Sequence, residues 1–173
     1  MDEAINNLDP LTGLNGRKLL LIKLREMHEL VKRNVQPVTL VMMDLDRFKA
    51  INDNYGHLCG DRVIKQAACK VLINTRPYDL GFRYGGEEFL LCLPHTTQED
   101  ALVVVERIRQ SLEALTVECE EGQVAFTASF GVTGLLPDTP VEESMHRCDT
   151  ALYAAKRAGR NRIQVWKPGL ADE

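Results

Sequence analysis

The spacing of apolar residues along the chain predicts an alternation of helices and strands. Residues 16–33 carry apolar side chains at helical spacing, which indicates an amphipathic helix. Residues 38–43 are almost all apolar, as is typical of a strand buried on both faces. The remaining pattern predicts a short helical turn, a helix over about 60–74, two strands within 80–93, a helix capped by Thr97, a short strand near 117–120, a longer strand over 124–132, a helix over 141–158 and a final strand over 163–166.

The order of these elements favours an α+β fold in which helices pack on one or both faces of a sheet. A chain of 173 residues is long enough to bury its own core as one compact domain. We place that domain over residues 9–168. Residues 1–8 are then an N-terminal extension or linker remnant, and residues 169–173 form a C-terminal tail.

Composition excludes several classes of protein. The apolar fraction of 45% and charged fraction of 27% are ordinary for a soluble domain, and a net charge of −4 argues against a general nucleic-acid binder. No apolar run is long enough to cross a bilayer, and the N-terminus lacks a signal pattern. The five cysteines are scattered without a C-x-x-C pair, which predicts reduced, mostly buried thiols in the cytoplasm, with neither a disulfide framework nor a zinc site.

Two acidic features stand at the ends of predicted strands. Asp44 and Asp46 follow the buried strand, and Glu87 and Glu88 follow the predicted hairpin turn. If the strand and hairpin are neighbours, Asp44 faces one glutamate only, because adjacent strand residues point to opposite faces. Such carboxylates suit Mg²⁺, which also binds waters and substrate phosphates. Taken alone, the acids are better explained as solvated strand ends.

Glycines and cations near these acids suggest a nucleotide site. Gly85-Gly86 predicts a tight hairpin with positive φ angles, and the missing side chains would also let a base or phosphate approach the backbone. Lys49 lies at the start of a helix, where backbone N–H groups attract anions. Asn52 and Asp61 have the donors and acceptors needed to read a guanine edge, although the same residues also serve as helix caps.

A second pair of cations lies near the end of the last helix. Lys156 and Arg160 are four residues apart, which predicts one shared helix face that could contact phosphate. A favourable interaction with the C-terminus of the helix explains them equally well.

Together these motifs resemble the GGDEF family of diguanylate cyclases, from about residue 9 to residue 166. Four ordered motifs carry the resemblance: DPLTGLNGR over residues 9–17, DLDRFKAINDNYGH over 44–57 followed by Gly60-Asp61, the signature GGEEF over 85–89, and DTALYAAKRAGRN over 149–161. The signature has glutamate at its third position, a variant that active members of the family also use.

The resemblance implies a palm-like, five-stranded central sheet flanked by helices, with an additional hairpin. It also implies that the protein condenses two GTP molecules into cyclic di-GMP and two pyrophosphates with Mg²⁺, which Mn²⁺ can replace. Asp44, the Leu45 carbonyl and Glu87 would hold the metal. Glu87 would assist deprotonation of the attacking 3′-hydroxyl, with Glu88 and Lys49 supporting catalysis. The residues expected to contact the nucleotide are Phe48, Lys49, Asn52, His57, Asp61, Gly85, Gly86, Lys156 and Arg160.

The resemblance also implies regulation and partners. Arg76 and Asp79 match the R-x-x-D motif at which such enzymes bind cyclic di-GMP as an inhibitor, and Arg107 lies where a partner arginine contributes, although it also reads as an ordinary surface residue. Each domain would hold one GTP, so two would have to meet as a homodimer. A sensory or receiver domain is expected before the catalytic domain, in a cytoplasmic or membrane-attached full-length protein that binds no nucleic acid.

Three alternatives remain open at this point. A member of this family could bind GTP or cyclic di-GMP as a receptor without turnover, although such domains usually have damaged signatures. A cyclase of broader specificity could make mixed dinucleotides, against which Asp61 argues. A purely structural interaction module would explain none of the polar motifs.

Overall fold

The computed structural model describes residues 7–171. The predicted N-terminal extension therefore lies mostly outside the described residues, as do the last two residues of the predicted tail. Within the described range, no helix is long and apolar enough to cross a membrane. The helices are α1 (Arg17–Lys32), α2 (Phe48–Tyr55), α3 (His57–Asn74), α4 (Gln98–Glu113) and α5 (Val141–Arg157), and the strands are β1 (Val38–Leu45), β2 (Leu80–Arg83), β3 (Glu88–Pro94), β4 (Thr116–Cys119), β5 (Gly122–Ala125), β6 (Ala128–Gly134) and β7 (Ile163–Val165).

Five strands form the central sheet in the order β2-β3-β1-β6-β7, which confirms the predicted five-stranded α+β fold. The central strand β1 runs antiparallel to both β3 and β6, and β7 joins the far edge parallel to β6. All eight residues of β1 are buried, as its unbroken apolar run predicted. The strands β4 and β5 pair separately as a two-stranded hairpin.

Helices cover both faces of the sheet because alternate residues of β1 serve two hydrophobic clusters. Val41 and Met43 lie in the cluster that also contains buried residues of α2, α3 and α4. Leu40 and Met42 lie in the other, which contains buried residues of α1 and α5. The C-terminal end of β1 therefore lies between two layers of helices, and the chain continues from it into α2.

The helix α5 crosses β6 in close contact at one glycine. A side chain at Gly131 would collide with the carbonyl oxygen of Cys148 and the backbone nitrogen of Leu152. Only glycine permits this approach of helix to strand. The close packing fixes the position of α5, which carries Lys156 toward the end of β1.

Two predicted boundaries are wrong. The expected strand over 124–132 is two strands in different sheets, β5 and β6, with the break at Phe126-Thr127. Alternation of apolar residues does not reveal this break, because Phe126 and Ala128 are buried in the same cluster on either side of it. The helix expected from about residue 60 begins three residues earlier, at His57, and the preceding helical turn is the full helix α2.

The prediction of five reduced, mostly buried cysteines is also wrong. Cys59 and Cys119 form a disulfide that joins α3 to β4, and Cys69 is exposed. Their Cα atoms lie 5.6 Å apart because the hairpin packs against the first turns of α3, a proximity that a separation of 60 residues in sequence conceals. Cys92 and Cys148 are buried free thiols, as expected.

Candidate active site

The site is centred on the edge of the sheet where β1 ends and β3 begins. In the antiparallel register of these strands, Asp44 lies opposite Glu88. Residues opposite each other on paired strands project to the same face, so these two carboxylates share one side of the sheet. The register therefore selects Glu88 rather than Glu87 as the glutamate opposite Asp44.

Glu87 lies one residue before β3 and also contributes to this edge. Its carbonyl oxygen accepts a hydrogen bond from the N–H of Leu45, 3.2 Å away, which extends the β1–β3 pairing by one step. Its half-buried carboxylate is close enough to raise the pKa of Asp44. The residues predicted to hold a metal, Asp44, Leu45 and Glu87, are thus neighbours in the structure, with Glu88 beside them.

Lys156 is the cation that faces these acids. Its Nζ lies 3.0 Å from Oδ2 of Asp44, whose side chain is only 8% exposed. Burial raises the pKa of Asp44 to about 6, and the charges of Glu87 and Glu88 add to this effect while Lys156 opposes it. A single lysine therefore does not offset the cost of burying this carboxylate among other acids.

Glu88 experiences the same environment. Burial raises its pKa, the neighbouring Glu87 and Asp149 raise it further, and Lys156 and Arg17 act in the opposite direction. A further cation would stabilise the ionised form of both Asp44 and Glu88.

The donor set fits Mg²⁺. Within residues 7–171, no three His, Cys, Asp or Glu side chains form a closed metal-binding cluster. Mg²⁺ does not need one, because it usually binds one or two carboxylates and takes its other ligands from water and substrate phosphates. Asp44 and a glutamate at this edge, with an adjacent backbone carbonyl, match that preference.

A cavity of about 650 Å³ opens beside these groups, between the sheet and helices α1 and α5. Asp44, Glu88 and Lys156 line it, together with Arg17, His146 and Asp149 on the two helices. Sequence reasoning did not identify these last three as site residues. Arg17 closes the first motif and His146 precedes the last one, but sequence alone did not show that the two helices face the same cavity.

The signature loop differs from the predicted two-glycine hairpin. Four residues, 84–87, connect β2 to β3, and neither glycine has a positive φ angle. Gly85 packs closely, since a Cβ there would lie 3.0 Å from a carboxylate oxygen of Glu88 and displace it slightly, whereas Gly86 is open. Arg83 donates to the carbonyl of Gly86 at 2.9 Å and forms an ion pair with Asp9 at 3.1 Å, which holds the loop in place.

The start of α2 presents backbone N–H groups and a cation beside the same edge. Arg47 precedes the helix with a left-handed φ of 54°, which turns the chain sharply from β1 into α2. Phe48 is then buried, while Lys49 is exposed on the first turn. This is the arrangement expected for Lys49 at an anion site.

The predicted guanine-reading residues lie where α2 meets α3. The Oδ1 atom of Asn52 is buried without a hydrogen-bond partner, an arrangement that is costly and therefore uncommon. Gly60 packs directly against this amide and leaves no room for a side chain. Exposed His57 and Asp61 lie one turn apart on α3. The unpaired acceptor of Asn52 and the exposed carboxylate of Asp61 fit recognition of a base that has several N–H donors.

Lys156 and Arg160 do not share a helix face, contrary to the prediction. Helix α5 ends at Arg157, and Gly159, Arg160 and Asn161 all adopt left-handed φ angles. Arg160 is thereby directed to a different cavity of about 400 Å³, on the α2 side of the β1 end. The two cations approach the end of β1 from opposite sides.

The predicted inhibitory residues cluster away from this edge, at the end of α3. The backbone N–H of Arg76 donates to the Asp79 carboxylate at 2.7 Å, and the two side chains lie 3.5 Å apart as an ion pair. Arg107 reaches the same region from α4 and donates to Asn74 at 2.7 and 3.0 Å. The structure thus brings Arg76, Asp79 and Arg107 to one region, with the guanidinium groups engaged in internal contacts.

Residues 6–162 match the family described as "Diguanylate cyclase, GGDEF domain". Among curated relatives, the chain is 38% identical over 159 residues to Diguanylate cyclase DgcZ of Escherichia coli, covering 91% of this chain and 52% of the relative. It is 41% identical over 158 residues to Diguanylate cyclase VdcA of Vibrio cholerae, covering 90% of this chain and 45% of the relative. The chain therefore spans about half the length of these relatives.

Solved structures show the same fold. Diguanylate cyclase SiaD from Pseudomonas aeruginosa, in complex with its activator SiaC, is similar with a TM-score of 0.89 and 42% identity, over 95% of this chain and 64% of that one. The GGDEF domain of DgcB from Caulobacter crescentus, in complex with c-di-GMP, is similar with a TM-score of 0.88 and 31% identity, over 92% of this chain and 93% of that one.

Proposed function

Because the chain belongs to the GGDEF family of diguanylate cyclase domains, we propose that it condenses two molecules of GTP into cyclic di-GMP and releases two pyrophosphates. The observation that carries this proposal is the juxtaposition of Asp44 and Glu88 across paired strands, with Lys156 at 3.0 Å from Asp44. A buried and a half-buried acid, both with raised pKa values and both lining one cavity, are typical of functional sites rather than of solvated strand ends.

In the proposed reaction, the 3′-hydroxyl of one GTP attacks the α-phosphorus of the other, and pyrophosphate leaves. Asp44, the Leu45 carbonyl and a glutamate of the signature would hold Mg²⁺, with Mn²⁺ as a substitute. Bound Mg²⁺ lowers the pKa of an attacking hydroxyl and screens charge on the leaving group. We assign removal of the hydroxyl proton to Glu87, and the register favours Glu88 as the metal-binding partner of Asp44.

The remaining residues would bind and orient the nucleotide. Asn52 and Asp61 would accept hydrogen bonds from guanine, with His57 and Phe48 beside the base. Lys49, Lys156 and Arg160 would contact the triphosphate, where positive charge stabilises the negative charge that develops during transfer. Gly85 and Gly86 would allow close approach of the substrate to the loop.

Two protomers are required in this proposal, because the described residues supply one set of guanine-reading groups. We therefore propose a homodimer whose protomers each present one GTP to the other. A sensory or receiver domain in a longer cytoplasmic or membrane-attached protein would control this encounter, and no nucleic acid takes part.

Substitutions in the signature test the proposed site. Purified protein is incubated at high concentration with GTP and MgCl₂, and the nucleotides are separated by chromatography. Glu88→Gln and Glu87→Gln should each lower the rate of cyclic di-GMP formation by about 10²-fold or more. The control Glu99→Gln changes charge equally at an exposed position on α4 and should be as active as the wild type. Full activity of Glu88→Gln would refute the assignment.

We also propose product inhibition through Arg76, Asp79 and Arg107. A carboxylate and two guanidinium groups in one region could bind the guanine and phosphate groups of cyclic di-GMP, once their internal contacts are exchanged. Initial rates measured with increasing cyclic di-GMP should fall for the wild type and much less for Arg76→Ala. Unchanged activity of the wild type at saturating product would contradict this part of the proposal.

A further inference from the structure

Asp46 is a buried acid two residues after Asp44, inside the second motif, and the proposed function gives it no role. It is 6% exposed. Its carboxylate accepts three hydrogen bonds: from Oγ1 of Thr127 at 2.7 Å, from Oγ of Ser129 at 2.6 Å and from the backbone N–H of Asn161 at 3.0 Å. A buried carboxylate satisfied by three donors is a strong, directional anchor.

The third donor belongs to the left-handed turn that follows α5. Gly159, Arg160 and Asn161 have φ angles of 123°, 65° and 47°. Successive left-handed residues with side chains are unfavourable, and they persist only where surrounding contacts hold them. Asp46 supplies one of those contacts, across 115 residues of sequence.

Other contacts hold the turn against the helices. The N–H of Arg160 donates to the carbonyl of Ala155 in α5 at 3.1 Å, and the Asn161 amide binds Arg109 at 2.8 Å and Glu113, both in α4. Asp46 differs from these partners because it joins the turn to the connection between β1 and α2. Asp44 in β1 and Lys49 in α2 lie on either side of this connection.

Arg160 is the residue whose placement depends on this turn. It lines a cavity of about 400 Å³ together with Asp46, Arg47 and Thr127, where the turn meets the start of α2. A long side chain on an unfavourable backbone conformation is directed into that cavity only while the conformation is maintained.

We propose that Asp46 is a positioning residue, which holds the left-handed turn so that Arg160 is presented to the phosphates of a nucleotide bound at the start of α2. This inference rests on the proposed function, which assigns Arg160 to the triphosphate. Asp46 itself does not touch the substrate, since its carboxylate is buried and satisfied by the protein.

The experiment separates phosphate binding from base binding. Dissociation constants are measured for guanosine 5′-(α,β-methylene)triphosphate with MgCl₂, and for guanosine, with the wild-type protein and with Asp46→Asn. The variant removes the charge that strengthens all three hydrogen bonds, and it replaces one accepting oxygen by an amide nitrogen that can only donate. We expect the triphosphate to bind roughly tenfold more weakly and guanosine to bind as in the wild type, because only phosphate contacts are displaced.

Three further variants test whether Asp46 affects triphosphate binding through the turn and Arg160. Asp138→Asn removes the same charge at an exposed loop position and should change neither constant. Thr127→Val deletes one hydroxyl donor to Asp46 with little change in volume, and should weaken triphosphate binding in the same direction by a smaller factor. In an Arg160→Ala background, Asp46→Asn should cause no further loss, since residues acting through one contact are not additive.

Distinct results overturn the inference. Equal loss of guanosine and triphosphate binding would show that Asp46 only supports the fold. Unchanged triphosphate binding by Asp46→Asn, or by Thr127→Val if the first variant does not fold, would show that the turn needs no such anchor, and the proposed function would stand. A wild-type protein that binds no triphosphate would refute the proposed function and this inference together.

Discussion

Replacing Asp44 by asparagine should make the protein more stable while removing its proposed activity. The carboxylate is buried beside Glu87 and Glu88, and a single lysine faces it. In the absence of metal and nucleotide, the folded state therefore has to keep an unfavourable negative charge. Asparagine has nearly the same shape without that charge, so the cost of burial falls.

The magnitude follows from the pKa of Asp44, which rises from an ordinary 3.8 to about 6. A shift of this size corresponds to at most about 3 kcal/mol at neutral pH. Solvent at the mouth of the cavity and the lost contact with Lys156 reduce the expected gain to roughly 1–2 kcal/mol. For a chain of 173 residues, that gain raises the melting temperature by about 2–8 °C.

The size of this gain in stability depends on pH. Because the pKa of this carboxyl is higher in the folded than in the unfolded state, folding binds a proton between the two values. The wild type loses stability from Asp44 as the pH rises from 3.8 to about 6, and the loss is constant above that range. The advantage of Asp44→Asn should be full at pH 7.5 and fall to roughly a third at pH 4.5.

Thermal unfolding at pH 4.5 and 7.5, with a chelator present, measures the difference in stability between Asp44→Asn and the wild type. Asp138→Asn controls for net charge. Adding MgCl₂ with a GTP analogue should then raise the melting temperature of the wild type more than that of Asp44→Asn, because ligands stabilise only the state that binds them. A variant that is less stable than the wild type at pH 7.5, or a gain that does not change with pH, would refute the reasoning.

Further predictions concern the packing that places the site. Gly131→Ala should lower the unfolding free energy by about 1–3 kcal/mol in chemical denaturation, because its methyl group collides with the backbone of α5; an unchanged midpoint would mean that α5 can shift freely. Gly60→Ala should weaken GTP binding, measured by calorimetry, by roughly tenfold, since the added methyl displaces the amide of Asn52; wild-type affinity would contradict the role of that amide. Reducing the Cys59–Cys119 disulfide with dithiothreitol should lower the melting temperature by about 5–10 °C, and five reactive thiols in unfolded, unreduced protein would show that the disulfide does not form.

The sequence was most informative where a local pattern determines structure. The unbroken apolar run of β1 predicted a strand buried on both faces, and the helical spacing over residues 16–33 predicted α1, because both signals depend only on neighbouring residues. The resemblance to a family predicted the five-stranded sheet and located the candidate site at the end of β1.

The errors concern contacts between distant parts of the chain. Sequence could not specify which glutamate lies opposite Asp44, because β1 and β3 are not joined by a hairpin and no local turn fixes their register. The helix predicted over 141–158 already ends before Arg160, so the shared helix face predicted for Lys156 and Arg160 did not follow from it. Sequence could not show where the left-handed turn after the helix directs Arg160. Cys59 pairs with Cys119, 60 residues away, and Asp46 accepts from Asn161, 115 residues away. Only the folded structure shows that these residues are in contact.

Turnover of GTP tests the proposed function most directly. Wild-type protein, fused to a dimerising coiled coil so that encounter of protomers does not limit the rate, is incubated with GTP and MgCl₂. We expect two pyrophosphates and one cyclic di-GMP for every two GTP consumed, identified by mass spectrometry, and no product from the same fusion carrying Glu88→Gln. Tight binding of GTP or cyclic di-GMP without any pyrophosphate release would contradict the proposed function and identify the domain as a receptor.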